Sequence, residues 1–483
     1  MAQTLDLAAS FDPPSEAAWL ELVRKTLKGA GPETLVSTSS GGVSIQPLYR
    51  DGPAAAVRSP VRDATRPWDI RTGTRHPDPA RANADVLADL GGGAASVLVK
   101  IDPTGKNGVA IGDPAGLGRV LDGVLLDLAP VALNAGFLGI DAAEWLAALA
   151  KNAPEAPLAF HLDPLTAFAQ AGSSPGPIES HIIAAATTAV RLSRAYPKST
   201  AFLAAGRIVH EAGGSEAQEL AFALASAVTY AKALVRAGAT ADEAFSSIAL
   251  GLSVNAEYFT AIAKLRAARI LWAKLAGASG ADATRPAVIE TRSSFRMLTT
   301  LDPWSNLLRL ASAAFAAGVG GADAVVLAPF TEPLGLPSAL ARRQARNIQL
   351  VLMEEAYLAR VADPAGGAWF LETLTDEIAR DAWAKFQAIE AQGGLIEALS
   401  SGKIAAAVAV CAAAQVEAVK DKRQDILGVT KFRNLDLGNV EVETVDGAAF
   451  AVAAPDPKKP GPDSACERLT PTRLAAQFEE EAQ

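Results

Sequence analysis

From about residue 85 the chain alternates between two hydrophobic periods. Short runs rich in β-branched residues and leucine occur at 96–101, 123–128, 157–162, 200–205, 247–254, 286–291 and 324–328, with a weaker one at 358–362. Between them, apolar residues recur every three or four positions over 142–151, 215–236, 257–275, 303–317 and 338–356. The first period predicts strands and the second amphipathic helices. Strands alternating with helices predict βα units on a parallel sheet. Seven or eight such units predict a closed (β/α)8 barrel, with an open doubly wound sheet as the alternative.

The flanks follow other patterns. Trp19, Leu20, Leu22, Val23 and Leu27 lie at helical spacing behind Ser15, a suitable N-cap, and 29–42 is rich in glycine, serine and threonine before a short strand at 43–48. Residues 1–60 therefore read as an arm that must pack on the body or on a partner chain. Residues 61–400 read as the barrel. Residues 401–483 read as a helical and linker extension: an alanine-rich helix at 404–419, a small strand pair within 440–452, a proline-rich linker at 455–462 and a last helix over 471–480. Asp-Pro pairs at 102–103, 163–164, 302–303 and 363–364 read as helix or turn caps, because aspartate accepts first-turn N–H groups and proline suits the first helical position.

Composition narrows the chemistry. The 483 residues carry 44 Lys and Arg against 53 Asp and Glu, a net charge of −9, with no dense basic patch, so nucleic acid is not an expected partner. The two cysteines, Cys411 and Cys466, are far apart, which excludes a disulfide framework and a thiolate metal site and points to a reducing cytoplasm. No signal-peptide pattern opens the chain, and no apolar run reaches the ~20 residues of a membrane span, so no membrane association is expected. No metal site is expected. The stretch 104–108 lacks the Ser/Thr of a P-loop, and 210–214 lacks the second histidine of a zinc helix. Adjacent Glu354 and Glu355 diverge on a helix, which argues against paired-carboxylate chemistry. Arg342, Arg343 and Arg346 read as a solvated helix face, with pairing to a phosphate or an acidic partner surface as the alternative. Only four histidines occur: His76, His161, His181 and His210.

Several segments carry a family likeness. Arg66-Pro67-Trp68-Asp69-Ile70-Arg71 resembles the "RPW-x-IR" segment of methylmalonyl-CoA mutases, and 263–272 resembles their "AK-x-RA-x-R-x-LW" helix. Glu332-Pro333-Leu334-Gly335-Leu336-Pro337 with Ala345-Arg346-Asn347-Ile348-Gln349 is similar to "EALGLP…ARN-x-Q", and 361–367 to "VADP-x-GG". With the arm, the likeness runs from about residue 15 to 435.

The resemblance implies a (β/α)8 barrel that threads coenzyme A along its axis. It also implies dependence on adenosylcobalamin, held in active members by a C-terminal domain with a D-x-H-x-x-G motif. None of the four histidines has an aspartate two residues before it, and the residues after 435 are fewer than the ~130 a doubly wound domain takes. The expectation is that this chain has no cobalamin-binding domain and that the cofactor sits on a partner subunit. Family positions that contact substrate fall on Gly73 (a tyrosine in active members), Ile208 (the thioester histidine), Val288 and Glu290 (an arginine and a histidine) and Ala328 (an asparagine). Arg66, Arg71 and Glu332 are retained. Arg207 and His210 remain as residual pocket candidates, His210 because two residues along a strand would keep the side of position 208.

The losses remove the donors that acyl-CoA chemistry needs. The chain therefore reads as the non-catalytic small subunit of a heterodimeric methylmalonyl-CoA mutase, stabilising a large catalytic subunit. One alternative is a catalytic barrel with a separate cobalamin-binding chain, built on Arg207, His210 and Glu290. Another is a degenerate acyl-CoA-binding or chaperone-like partner.

Overall fold

The computed structural model describes residues 15–39, 41–52, 67–433, 440–455 and 461–480. At its centre eight parallel strands close into a barrel: β1 (Asp69–Thr74), β2 (Ser96–Lys100), β3 (Val131–Asn134), β4 (Ala159–Leu162), β5 (Thr200–Ala205), β6 (Ile248–Val254), β7 (Val288–Ser293) and β8 (Ala324–Val326). Each strand pairs with the next, and β8 returns to β1 through Ala324–Asp69, Val325–Ile70 and Val326–Arg71. The (β/α)8 barrel is the fold, and the open sheet is excluded.

Some local expectations give way to packing. The first strand lies in the segment 69–74, which the run-finding pattern passes over because Arg71, Thr72, Gly73 and Thr74 are not an apolar run. Residues 123–128 form turns, with Leu125 and Leu128 left 62% and 72% exposed. The strand starts only at Val131, beyond Pro130, whose carbonyl accepts from the Val97 N–H. Residues 358–360 make one tight helical turn, not a strand. Val442–Glu443 does not pair within its own segment but lies antiparallel to Leu336–Pro337.

Capping behaves as the residue chemistry predicts. Asp163 accepts from Thr166 N at 3.2 Å with Pro164 in the first turn of the Pro164–Ala171 helix. Ser215 and Gln218 form a reciprocal box at the start of the Glu216–Arg236 helix. Asp102 instead closes a turn, with Oδ1 accepting from Thr104 and Oδ2 from the Asn107 N–H.

The core fills the layer between strands and helices, and the Tyr258–Ala278 helix lies deep within it. Three of its four cations, Lys264, Arg266 and Arg269, point to three different neighbours. Lys264 Nζ is 2.5 Å from Glu219 Oε2 on the 216–236 helix, with both side chains essentially inaccessible. Arg266 pairs with Asp363 at 3.0 Å and Glu372 at 2.8 Å, which ties down the Asp-Pro loop and the Trp369–Ala391 helix. Arg269 donates to the Ala287 and Gly321 carbonyls and to Asp323, at the N-terminal ends of β7 and β8. Each charge has left water, and each has found the opposite charge or carbonyls that such burial demands.

Two further contacts brace the barrel. Trp68 donates its indole N–H to Gln349 at 3.2 Å, and its ring lies so close to Gly318 that a Cβ there would sit 3.0 Å from it. Arg342 and Arg346 are not a solvated face. Arg346 donates to Asp89 at 2.7 Å and Arg342 pairs with Asp85, so the Ala339–Leu350 helix is clamped to the Pro79–Gly91 helix. The segment 440–455 folds back over the C-terminal end of the barrel. There Gly105 (φ +69°) and Gly447 approach so closely that a Cβ on either would lie 2.2 Å from the other's carbonyl oxygen.

Removing one member of a buried pair strands the other. Lys264→Met is expected to cost about 3–5 kcal/mol in urea denaturation, and Lys264→Met/Glu219→Gln to recover part of that loss. Additive losses in the double variant would refute the pairing.

Candidate functional site

Alternate residues of the eight strands face the barrel axis. Small ones, Ala132, Ala159, Ala205, Ala249 and Ala324, leave room that charged ones occupy. At the centre stands Glu290 on β7, 2% exposed. Its Oε2 accepts from Arg71 Nη1 of β1 at 2.7 Å. Its Oε1 accepts from Arg207 Nη1 at 3.1 Å and from Arg292 Nη2 and Nε at 3.0 and 3.1 Å. Arg71 also donates to Ser96 Oγ at 3.0 Å and lies 3.8 Å from Asp69. His161 of β4 completes the group, its Nδ1 3.8 Å from Glu290 Oε2 and without a hydrogen bond. It sits at φ +50°, a strained conformation for a non-glycine residue, where the β4–β5 register shifts.

Burial and charge set the protonation states. Burial alone would raise the Glu290 carboxyl, but the Arg292, Arg71 and Arg207 guanidiniums hold it well below the usual carboxylate range. Burial drives His161 down to about 3, with the three guanidiniums adding to the effect and Glu290 opposing it, so its ring is neutral. Arg292 is pushed down to about 10 by burial and by Arg207, and it stays charged at neutral pH. The result is one carboxylate shared among three guanidiniums in the middle of the lumen.

This cluster separates two cavities. One of about 290 Å³ opens at the N-terminal end and is lined by Arg71, Ala159, His161, Ala249 and Glu290. The other, about 210 Å³, opens at the C-terminal end, where barrel proteins carry their functional groups. Gly73, Lys100, Asn134, Arg292, Ala328 and Glu332 line it.

The structure brings together Arg71, Arg207 and Glu290 as direct partners. It places Gly73, Ala328 and Glu332 on the C-terminal cavity, with Glu332 bound to Arg75 at 2.7 Å. Val288 stands at the N-terminal mouth, 42% exposed, and Ile208 is buried in the core. Arg66 lies outside the described residues. His210 departs from expectation: Arg207–Glu211 is a helix, so two residues do not return to the same side. Its ring is inaccessible, 2.8 Å from Ser294 Oγ and 3.8 Å from Glu219, away from the C-terminal cavity. Residue-by-residue reading missed His161, Arg292, Lys100 and Arg75. The signal that could have found His161 and Lys100 is a titratable side chain in a mostly apolar strand; Arg75 and Arg292 lie where the sequence is already polar.

No cluster of three or more His, Cys, Asp or Glu side chains that could hold a metal occurs among the described residues. None of their helices is long and apolar enough to cross a membrane.

Comparison with known proteins gives a consistent result. Residues 60–454 match the family model described as methylmalonyl-CoA mutase. The chain is 39% identical over 469 residues to the methylmalonyl-CoA mutase small subunit of Streptomyces virginiae, covering 92% of this chain and 74% of that one. It is 32% identical over 477 residues to the small subunit from Propionibacterium freudenreichii subsp. shermanii, covering 92% and 73%. To the methylmalonyl-CoA mutase of Cereibacter sphaeroides it is 28% identical over 470 residues, covering 89% and 66%.

Glu290→Gln leaves three guanidiniums facing one another out of water. It is expected to lose about 3 kcal/mol or more at neutral pH. Because the folded-state pKa of Glu290 is depressed, its contribution is present above the unfolded value near 4.5 and is lost as pH falls through the folded one. Urea midpoints measured from pH 7 down to acid should therefore fall less steeply for the variant than for the parent. Parallel curves would remove Glu290 from that role.

Proposed function

The chain belongs to the methylmalonyl-CoA mutase family, and from that premise we propose that it is the small, non-catalytic subunit of a heterodimeric enzyme whose large subunit performs the methylmalonyl-CoA/succinyl-CoA interconversion. The observation that carries this reading is the Glu290 cluster. A coenzyme A chain threaded along the axis would have to pass the point where Glu290 holds Arg71, Arg207 and Arg292. Displacing it would leave those charges unpaired in a low-dielectric interior.

The substrate-contacting positions that the resemblance implies support the same reading. Gly73 and Ala328 offer no side-chain donor, Ile208 is core, and Val288 sits at the opposite mouth. A catalytic site built from Arg207, His210 and Glu290 finds no support: two of the three neutralise each other, and His210 is engaged with Ser294.

Adenosylcobalamin, implied by the family, does not fit the described residues. His76 meets Glu443 at 3.3 Å, His181 meets the Pro175 carbonyl at 2.7 Å, His210 meets Ser294, and His161 is buried in the lumen beside Glu290. We assign the cofactor to the large subunit. For this chain we propose a scaffold's work, holding its partner in a stable, active form.

The test is reconstitution. Mixed with adenosylcobalamin and methylmalonyl-CoA, the chain alone should give no succinyl-CoA. Co-expressed with a family large subunit it should purify as a complex, and that subunit should melt higher and keep activity longer than when expressed alone. Turnover by the isolated chain would overturn the non-catalytic assignment, and failure to form the complex would overturn the partnership.

A further inference from the structure

The C-terminal cavity holds a cation that no described carboxylate touches directly. Lys100 ends β2 inside it, and among the described residues its Nζ makes no hydrogen bond and no ion pair. The carboxylates nearby are committed elsewhere. Glu332 belongs to Arg75, which also donates to the Gly335 carbonyl. Both oxygens of Asp102 are spent on the turn at 104–107. Burial and the fields of Arg75 and Arg292 lower the Lys100 pKa, against the weaker pull of Glu332 and Asp102.

Three more groups at the same cavity have free hydrogen-bonding capacity. Asn134 is the register partner of Lys100 on β3, and its carboxamide has no partner among the described residues. Arg292 gives Nε and Nη2 to Glu290 and leaves Nη1 unused. Thr74 lines the cavity too, 6% exposed, with a buried hydroxyl that makes no hydrogen bond. An unpaired ammonium in a partly dry cavity is costly unless something of opposite charge enters.

We propose that the C-terminal mouth of this barrel is a binding site for a compact dianion, held by Lys100, Arg292 and Asn134. The chemistry is that of an oxyanion group, either inorganic or metabolite phosphate or the carboxylates of a short dicarboxylic acid. Either is small against the 210 Å³ of the cavity and reaches it from the C-terminal face without passing the Glu290 cluster. The site needs neither the large subunit nor any catalytic competence, so it stands or falls separately from the subunit assignment.

Calorimetric titration of the full chain at constant ionic strength tests it, with inorganic phosphate, succinate, acetate and chloride in separate arms. Saturable binding of phosphate or succinate, tighter than of acetate and absent with chloride, is expected, and whichever dianion binds identifies the class. Lys100→Met should weaken it at least ~10-fold and Asn134→Leu by a smaller factor, with circular dichroism unchanged. Because the methionine removes an unpaired charge, Lys100→Met should melt no lower than the parent in dianion-free buffer. No binding by either dianion, equal binding by Lys100→Met, or a markedly less stable Lys100→Met would each overturn the site.

Discussion

A carboxylate in the middle of a barrel can stay there only if enough positive charge surrounds it. Glu290 meets that condition by gathering Arg71, Arg207 and Arg292 from β1, from the helix after β5 and from its own strand. The reverse holds as well, since three guanidiniums could not share this space without it. The cluster ties strands on opposite sides of the barrel together and fills what alanines and glycine leave open. Lumen shape, the split into two cavities and the neutrality of His161 all follow from it.

The same constraint explains which family segments persist. The lysine and arginines of the 263–272 segment are Lys264, Arg266 and Arg269, and each is a buried brace to a different part of the fold. Asp363, in the 361–367 segment, is one of their partners, and Trp68, in the first segment, locks two helices against β1. Arg346 of the "ARN-x-Q" likeness clamps to Asp89. These residues hold the barrel together whatever its lumen does, so a chain can keep them while its axis takes on a different set of charges.

Within the chain, local chemistry was legible where it is self-contained. The period of hydrophobicity located the helices and most strands, Asp163-Pro164 and Ser215 announced their caps, and the βα rhythm sufficed for the barrel. Local reading failed at 123–128, where an apolar run mimics a strand but the chain turns. It failed at Arg342 and Arg346, where a helix face that looks solvated meets Asp85 and Asp89 from some 250 residues earlier in the chain.

The candidate site divides along the same line. The residue identities at Gly73, Ile208, Val288, Glu290 and Ala328 were legible from the chain alone, because identity at a position needs no third dimension. That Glu290 is an ion-pair hub, that His210 turns into the core, and that Lys100 has no hydrogen-bond or ion-pair partner among the described residues were decided only by the closed barrel. The physical reason is range. Hydrophobic period and capping act over a few residues, whereas the cost of a buried charge is settled by whatever distant residue the fold brings within about 3 Å.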